Sequence, residues 1–245
     1  MKLPGHSDPC RCASCSGHEG RPFLSLVDVN FERERRRILS DVNFTVDLGD
    51  FIAITGPNGG GKTTLLRIIL GLLKPTSGKV VFYDADGIET IPQVPGYLPQ
   101  KNSVDAHFPI TVREVIASGL LASKDMLKSE REEKIERALE LTRLCDVAKR
   151  PIGRLSGGQV QRTLFGRAIV SEPSFLVMDE PLSYIDSYFE NQMYSIMQDM
   201  AQKTTILMVS HQMTHIGAIA NRHIIVDGTL RECTHKCHYV QTDCD

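Results

Sequence analysis

The feature that most constrains this chain is a glycine-rich turn that separates an apolar run from a helical pattern. Residues 56–64 read GPNGGGKTT and contain the pattern G-x-x-x-x-G-K-[ST]. The apolar residues Phe51 to Ile54 just before it predict a buried strand, and a helix is predicted from Thr64 to Leu73. Such a turn points successive backbone N–H groups, and the positive end of the helix, at one place. The sequence therefore predicts a phosphate-binding site.

Two side chains of this turn complete the predicted cradle. Lys62 is expected to reach the β- and γ-phosphates of a nucleotide, and the Thr63 hydroxyl is expected to coordinate Mg²⁺. The nucleotide contacts predicted for the turn are Gly56, Pro57, Asn58, Gly59, Gly60, Gly61, Lys62, Thr63 and Thr64.

A second apolar run ends in two carboxylates. Phe175 to Met178 predicts a buried strand, and Asp179 and Glu180 follow at its carboxyl end, where ligands bind in open α/β sheets. Asp179 is expected to hold the Mg²⁺ shell. Glu180 is expected to accept a proton from the attacking water or to orient it.

The remaining pattern predicts an α/β fold. Short alternating runs from Phe23 to Val46 flank the charged stretch Glu32 to Arg37, which indicates an antiparallel hairpin with a basic turn. The later runs Ile206 to Val209 and Ile224 to Val226 indicate further parallel strands. Between these regions, residues of about 105–165 read as a helical insertion with one apolar stripe, formed by Ile135, Ala138, Leu139 and Leu144.

A second glycine-rich stretch lies within that helical region. In Leu155-Ser156-Gly157-Gly158-Gln159, Ser156 is expected to begin a helix. Because Gly157 and Gly158 have no side chains, the first amides of this helix are left uncovered. This is a second anion-binding helix start, which a triphosphate already bound at residues 56–64 does not need.

The order of GPNGGGKTT, LSGGQ and FLVMDEP resembles that of the ABC ATPases, and the resemblance covers about residues 23–230. It implies a P-loop NTPase core with a mixed sheet, an antiparallel β subdomain and an inserted α-helical subdomain. It also implies ATP as the nucleotide and a head-to-tail homodimer with two ATP molecules between the chains. In such a dimer Ser156, Gly157, Gly158 and Gln159 of one chain close over the γ-phosphate held by the other.

Further roles follow from the resemblance, residue by residue. Gln100 matches a glutamine that contacts Mg²⁺ or water and senses the membrane partner, and His211 matches a histidine that contacts the γ-phosphate. Asp186 matches an aspartate near the dimer partner, although Tyr184 stands where alanine is common, and Phe31 matches the aromatic residue that stacks on adenine. The predicted catalytic residues are Glu180, His211, Lys62 and Gln100.

Charge and hydropathy limit the kinds of partner that the chain is expected to have. The net charge of −2 gives no basic field for nucleic acid, and the sequence has no apolar run of the roughly 18–20 residues that cross a bilayer. The N-terminus lacks the apolar run of a signal peptide. We expect a cytoplasmic subunit bound to the inner face of the membrane through separate permease subunits, with an extracytoplasmic binding protein in the complex.

The cargo is indicated by a weaker resemblance. The stretch YLPQKNSVDAHFPITVREVIASGL is similar to the corresponding region of zinc- and manganese-type metal importers. Two alternatives stay open: an importer of haem or an iron chelate, and a non-transport ABC ATPase in an assembly or regulatory complex.

Six of the seven cysteines lie near the chain ends, in a flexible lead predicted over residues 1–22 and a tail predicted over residues 231–245. In a reducing cytosol this is no disulfide framework. Thiolate and imidazole groups suit zinc, although short tails of this kind are often disordered and unliganded. The candidate zinc ligands are Cys10, Cys12, Cys15, Cys233, His235 and Cys237.

Overall fold

The computed structural model describes residues 20–91, 94–100, 109–123, 125–182, 185–210, 216–217 and 219–233. The strands in these ranges are β1 (Pro22–Arg33), β2 (Arg36–Asp47), β3 (Phe51–Thr55), β4 (Ser77–Tyr83), β5 (Glu89–Thr90), β6 (Gly96–Leu98), β7 (Phe175–Asp179), β8 (Thr205–Val209), β9 (Arg222–Asp227) and β10 (Thr229–Cys233). The main helices are α1 (Lys62–Ile69), α2 (Val112–Ser118), α3 (Lys128–Thr142), α4 (Gly157–Ile169) and α5 (Ser187–Met200).

Four strands form an antiparallel sheet in the order β2-β1-β4-β5. The predicted hairpin is confirmed, since β1 and β2 pair with Arg33 opposite Arg36. Glu34 and Arg35 form the two-residue turn, and both have positive φ (53° and 63°). Positive φ at both central residues is the condition for the turn whose twist matches that of the strands.

The other six strands form the central sheet, in the order β10-β9-β3-β8-β7-β6. Its neighbours are parallel except for the antiparallel pair β9 and β10. All five residues of β7 and of β8 are buried, as expected for parallel strands covered on both faces. The carboxyl ends of β3, β7 and β8 therefore meet at one edge of the sheet.

Each face of the central sheet has its own apolar core. One face packs with α1 and the antiparallel sheet, through residues such as Ile52, Leu66 and Leu24. The opposite face packs with α4 and α5, through residues such as Phe165 and Phe189. The predicted combination of a mixed sheet, an antiparallel sheet and helices is confirmed.

Helices α2, α3 and α4 enclose a third, smaller core. The predicted stripe of α3 is confirmed, because Ile135, Ala138 and Leu139 are all buried there. Helix α2 begins at Thr111, whose side chain forms a capping box with Glu114. Since Val170, directly after α4, belongs to this core and Phe165 of α4 belongs to the core on the central sheet, the helix joins the two regions.

The predicted extent of α1 was wrong at its end. The helix stops at Ile69 rather than at Leu73. Gly71 has a φ of +68°, and the amides of Leu72 and Leu73 both bond to the carbonyl of Arg67, which closes the helix. The leucines beyond Leu70 extend the apolar pattern without extending the helix.

Candidate nucleotide site

The centre of the site is the turn between β3 and α1. Gly56, Gly59 and Gly61 have φ values of +138°, +79° and +100°, which side chains rarely adopt. Gly61 is also the N-cap of α1, and no side chain caps this helix start. The first amides of α1 are thus left to a ligand, as at other anion-binding helix starts.

Close packing against β9 explains two of the glycines. A Cβ atom at Gly56 would lie 2.1 Å from the carbonyl oxygen of Val226, and one at Gly60 would lie 2.7 Å from the same atom. The Gly228 amide, just after β9, bonds to the Gly60 carbonyl at 2.9 Å. The turn is therefore held by a strand that the sequence pattern alone does not associate with it.

Lys62 lies across the turn. Its ammonium group donates 2.8 Å hydrogen bonds to the backbone carbonyls of Gly56 and Pro57, and the residue is only 6% exposed. Burial lowers the pKa of Lys62, while the nearby carboxylates of Glu180 and Asp179 act in the opposite direction. A buried ammonium group beside the helix start suits an anionic ligand.

Asp179, the last residue of β7, has a buried carboxylate. The residue is 1% exposed, and neither side-chain oxygen accepts a hydrogen bond of ordinary geometry from a described residue. Burial raises its pKa, and the Thr63 hydroxyl lies near enough to act against this rise. A buried carboxylate without a hydrogen-bond partner destabilises the folded state by about 1–3 kcal/mol or more. A bound cation would offset this cost.

Glu180, the next residue, has a backbone conformation that is unusual outside glycine. Its φ is +51°, and its amide bonds to the carbonyl of Val209 on β8 at 3.0 Å. Non-glycine residues in this region cost on the order of 1–3 kcal/mol and cluster at functional sites. The conformation lets Glu180 reach the wall of the cavity beside the turn.

A cavity of about 480 Å³ connects these groups. Gln100, Glu180 and turn residues from Asn58 to Thr64 line it. Their contacts with a nucleotide stay a prediction. Five further lining residues are not predicted from the sequence: Arg36, Arg37, Ile38, Asp227 and Gly228. The two arginines belong to the basic run after Phe31, whose pattern predicts only a hairpin turn. The positive charge of this run is the signal that could have indicated contact with an anion.

The second glycine-rich helix start is capped differently and lies elsewhere. Ser156 is the N-cap of α4, and its hydroxyl and the Gln159 side chain form a capping box. This box takes the amide of Gln159 and leaves those of Gly157 and Gly158 without a side-chain acceptor among the described residues. None of these residues lines the cavity.

A family model described as ABC transporter matches residues 39–183, which span the turn, the α4 start and the two carboxylates. The chain belongs to the ABC transporter family. It is an ATP-binding subunit that hydrolyses ATP. The resemblance predicted from the three motifs is thus confirmed.

Relatives within the ABC family match nearly the whole chain. It is 40% identical over 211 residues to a probable metal transport system ATP-binding protein of Chlamydia trachomatis, covering 85% of this chain and 89% of the relative. It is 34% identical over 226 residues to the zinc uptake system ATP-binding protein ZurA of Listeria innocua, covering 87% and 88%.

A solved ABC cassette shares the fold. It is a dimeric ATP-binding cassette in a post-hydrolysis state, bound to ADP and Pi. The TM-score is 0.75 at 26% identity, over 86% of this chain and 97% of the cassette.

Two of the other predicted ABC site residues, Phe31 and Asp186, do not line the cavity. Phe31 is half-buried, packs against the core beside the hairpin and does not line the cavity, so its stacking on adenine stays a prediction. Asp186 is the N-cap of α5 and forms an ion pair with Arg162 on α4. His211, Ser183 and Tyr184 lie outside the described residues.

The predicted zinc ligands of the tails mostly fall outside the described ranges as well. Cys233, half-buried at the end of β10, is the described one; those outside are Cys10, Cys12, Cys15, His235 and Cys237. Across residues that the structure does describe, no three His, Cys, Asp or Glu side chains are grouped to hold a metal. Likewise, none of the helices in the described ranges has the length and apolar character to span a membrane.

Proposed function

We propose that this ABC ATPase drives the import of a divalent transition metal ion, zinc or manganese. The observation that carries the proposal is the match, over more than four-fifths of the chain, to relatives named for metal transport and zinc uptake. The resemblance of residues 97–120 to zinc- and manganese-type importers supports the same cargo, although residues 101–108 of that stretch lie outside the described ranges.

The proposed assembly has two copies of the chain with two ATP molecules between them. The start of α4 supports it, because its free amides lie on the surface and away from the cavity of the same chain. The dimeric form of the solved cassette supports it as well. We place this dimer on the inner face of the membrane, against permease subunits that receive the ion from an extracytoplasmic binding protein.

The roles proposed at each ATP follow from the position of the groups. The amides of the turn and of the α1 start bind the phosphates, and Lys62 exchanges its two backbone carbonyl partners for phosphate oxygens. Arg36 and Arg37 add positive charge at the mouth of the cavity. Glu180 orients the attacking water and accepts its proton.

The residues present fit a Mg²⁺ ion bound with the ATP. Asp179 offers two buried carboxylate oxygens without a firm partner, and Thr63 and Gln100 offer neutral oxygens beside the cavity. Oxygen donors of this kind are those that Mg²⁺ prefers. When bound, the ion neutralises the charge that develops on the transferred phosphoryl group.

A separate zinc site is proposed for the chain ends, formed by the cysteines and histidines of either tail or of both. It rests on ligand type and spacing alone. The full chain purified in zinc is expected to retain about one zinc per chain after exhaustive desalting, measured by atomic emission. Cys233→Ser is expected to lower this content, and equal zinc in wild type and variant would contradict a site that includes Cys233.

The cargo is tested by transport with the complete complex. The chain is co-expressed with the permease and binding protein encoded beside it, and ATP-dependent uptake of zinc, manganese and iron is measured in vesicles. Uptake of zinc or manganese that disappears with Glu180→Gln supports the proposal. ATP hydrolysis without uptake of any of the three ions contradicts metal import and favours a haem, chelate or non-transport role.

A further inference from the structure

Two consecutive residues of α4 contact the part of the chain that follows Glu180. The first is Gln161, whose side-chain amide donates a 3.0 Å hydrogen bond to the backbone carbonyl of Pro181, the residue after Glu180. Gln161 is 6% exposed, so water hardly competes for this bond. The bond therefore fixes the peptide group between Pro181 and Leu182, one residue beyond Glu180, relative to α4.

The second is Arg162, which contacts the start of α5. Its guanidinium group forms an ion pair with Asp186 and lies 4.2 Å from the ring centroid of Phe189. The other carboxylate oxygen of Asp186 accepts a 2.9 Å bond from the Phe189 amide. Asp186 thus uses both oxygens within its own chain, and α4 is tied to the start of α5.

The backbone of Glu180 needs such ties. Its φ of +51° lies in the left-handed region, and its amide is held by Val209 on β8. A residue other than glycine keeps such a conformation only where the surrounding structure imposes it. The peptide group before Glu180 is thus held by β8, and the peptide group after Pro181 is held by Gln161.

We propose that Gln161 and Arg162 are positioning residues for ATP hydrolysis, which hold Pro181 and Asp186 so that the carboxylate of Glu180 faces the water. The inference rests on the proposed role of Glu180. Because the start of α4 carries the Ser156–Gln159 motif, the helix proposed to contact the partner's ATP also sets the geometry of Glu180 in its own chain. An error of about 1 Å in such a group can cost about 100-fold in rate.

The first test removes the Gln161 bond with Gln161→Met, which keeps the length of the side chain. The kcat for ATP hydrolysis is expected to fall at least tenfold, while KM for ATP stays within twofold. Gln192→Met is the matched control, since the Gln192 amide donates a similar 2.9 Å bond to the Leu141 carbonyl at a distance from Glu180. Its kcat is expected to stay within twofold of wild type.

The second test separates charge from geometry at Arg162. Arg162→Met is expected to lower kcat about fivefold, and Arg162→Lys, which keeps the charge, is expected to recover about half of the loss. Arg113→Met removes another arginine with two acidic partners, Glu132 and Glu136, and is expected to leave kcat within twofold.

A wild-type kcat in Gln161→Met, or a KM that rises as much as kcat falls, would overturn the inference. Should that variant not fold, as judged by circular dichroism, Gln161→Glu replaces the donor by an acceptor at the same length and is measured in its place. Glu180→Gln in the same assay separates a failure of the proposed role of Glu180 from a failure of the positioning role of Gln161. If it keeps wild-type turnover, the role of Glu180 and this inference both fail; if it is inactive while Gln161→Met is not, only this inference fails.

Discussion

Helices α1 and α4 both begin in glycine-rich stretches, and the two starts differ in what surrounds them. The α1 start has no side-chain cap and opens into a cavity that Lys62 and Glu180 also line, with Asp179 buried close by. The α4 start is closed by its own capping box, and Ser156 and Gly157 are exposed to solvent. One chain thus brings a helix start, a lysine and two carboxylates together around α1. Among the described residues, the α4 start has no such set of groups beside it, which agrees with the proposal that a second copy of the chain completes it.

Because the two helix starts differ in this way, we expect the affinity of the chain for ATP to depend on the α1 start and not on the α4 start. Lys62→Ala is expected to weaken the binding of ATP about 100-fold, or about 2.7 kcal/mol, because a buried charge–phosphate contact is lost. Lys74→Ala, at an exposed lysine beyond the end of α1, is the control and is expected to change little. Calorimetric titration of the isolated chain measures both, and wild-type affinity in Lys62→Ala would remove the basis of the comparison.

The α4 start is expected to matter for hydrolysis and not for affinity. Ser156→Ala should lower turnover about tenfold, through the loss of an oriented group at the phosphates, and leave the Kd of ATP for the dilute chain unchanged. Thr111→Ala removes the equivalent capping box of α2. Both variants should lose about 1 kcal/mol of stability, so a tenfold loss of turnover in both would show that capping, not contact with ATP, is responsible.

A third prediction concerns the cost of preparing the α1 site for a cation. Without nucleotide and Mg²⁺, Asp179→Asn is expected to raise the free energy of unfolding at pH 8 by about 1–2 kcal/mol, because a buried charge is removed. The folded-state pKa of Asp179 is raised by burial, so wild type gains stability as pH falls through that pKa. The advantage of the variant should therefore shrink toward low pH.

Urea titrations at pH 8 and pH 5 measure this difference. Asp199→Asn, at an exposed aspartate of α5, is the control and should shift stability by less than about 0.5 kcal/mol. A constant advantage of Asp179→Asn at both pH values would contradict the pH dependence.

The smallest expected effect lies at the rim of the α1 cavity. Arg37→Ala should weaken ATP binding about threefold in low salt and less in high salt, because exposed charges are screened. Arg33→Ala, at an exposed arginine that pairs with Glu34 and does not line the cavity, should have no effect. Equal losses in both variants would mean a general charge effect.

Local patterns predicted the parts of the site that lie within one strand–turn–helix unit. Gly56, Gly61 and Lys62 could be placed because a buried strand and a helix start adjoin them in the sequence. Asp179 and Glu180 could be placed because an apolar strand ends directly before them. The end of α1 was predicted wrongly, since leucines continue the helical pattern past the left-handed Gly71.

Contacts between distant segments could not be predicted in the same way. Arg36 and Arg37 reach the cavity because the Ser40 amide, on the same strand, bonds to the Gly228 carbonyl at 2.7 Å. The environment of Asp186 was also missed, because its partner Arg162 lies on another helix. No periodicity records such pairings, which depend on how the elements pack.

The double contact of Gly228 has a consequence for biosynthesis. Its amide bonds to the Gly60 carbonyl in the turn, and its carbonyl accepts a bond from Ser40. In a chain that is still emerging from the ribosome, the turn is synthesised long before residue 228. The turn therefore lacks the hydrogen bond from Gly228 until these two distant segments meet. Contacts between such distant residues form late and slowly. Tight ATP binding should accordingly appear only after residue 228 has left the ribosome, which makes nucleotide capture a marker of synthesis past that point.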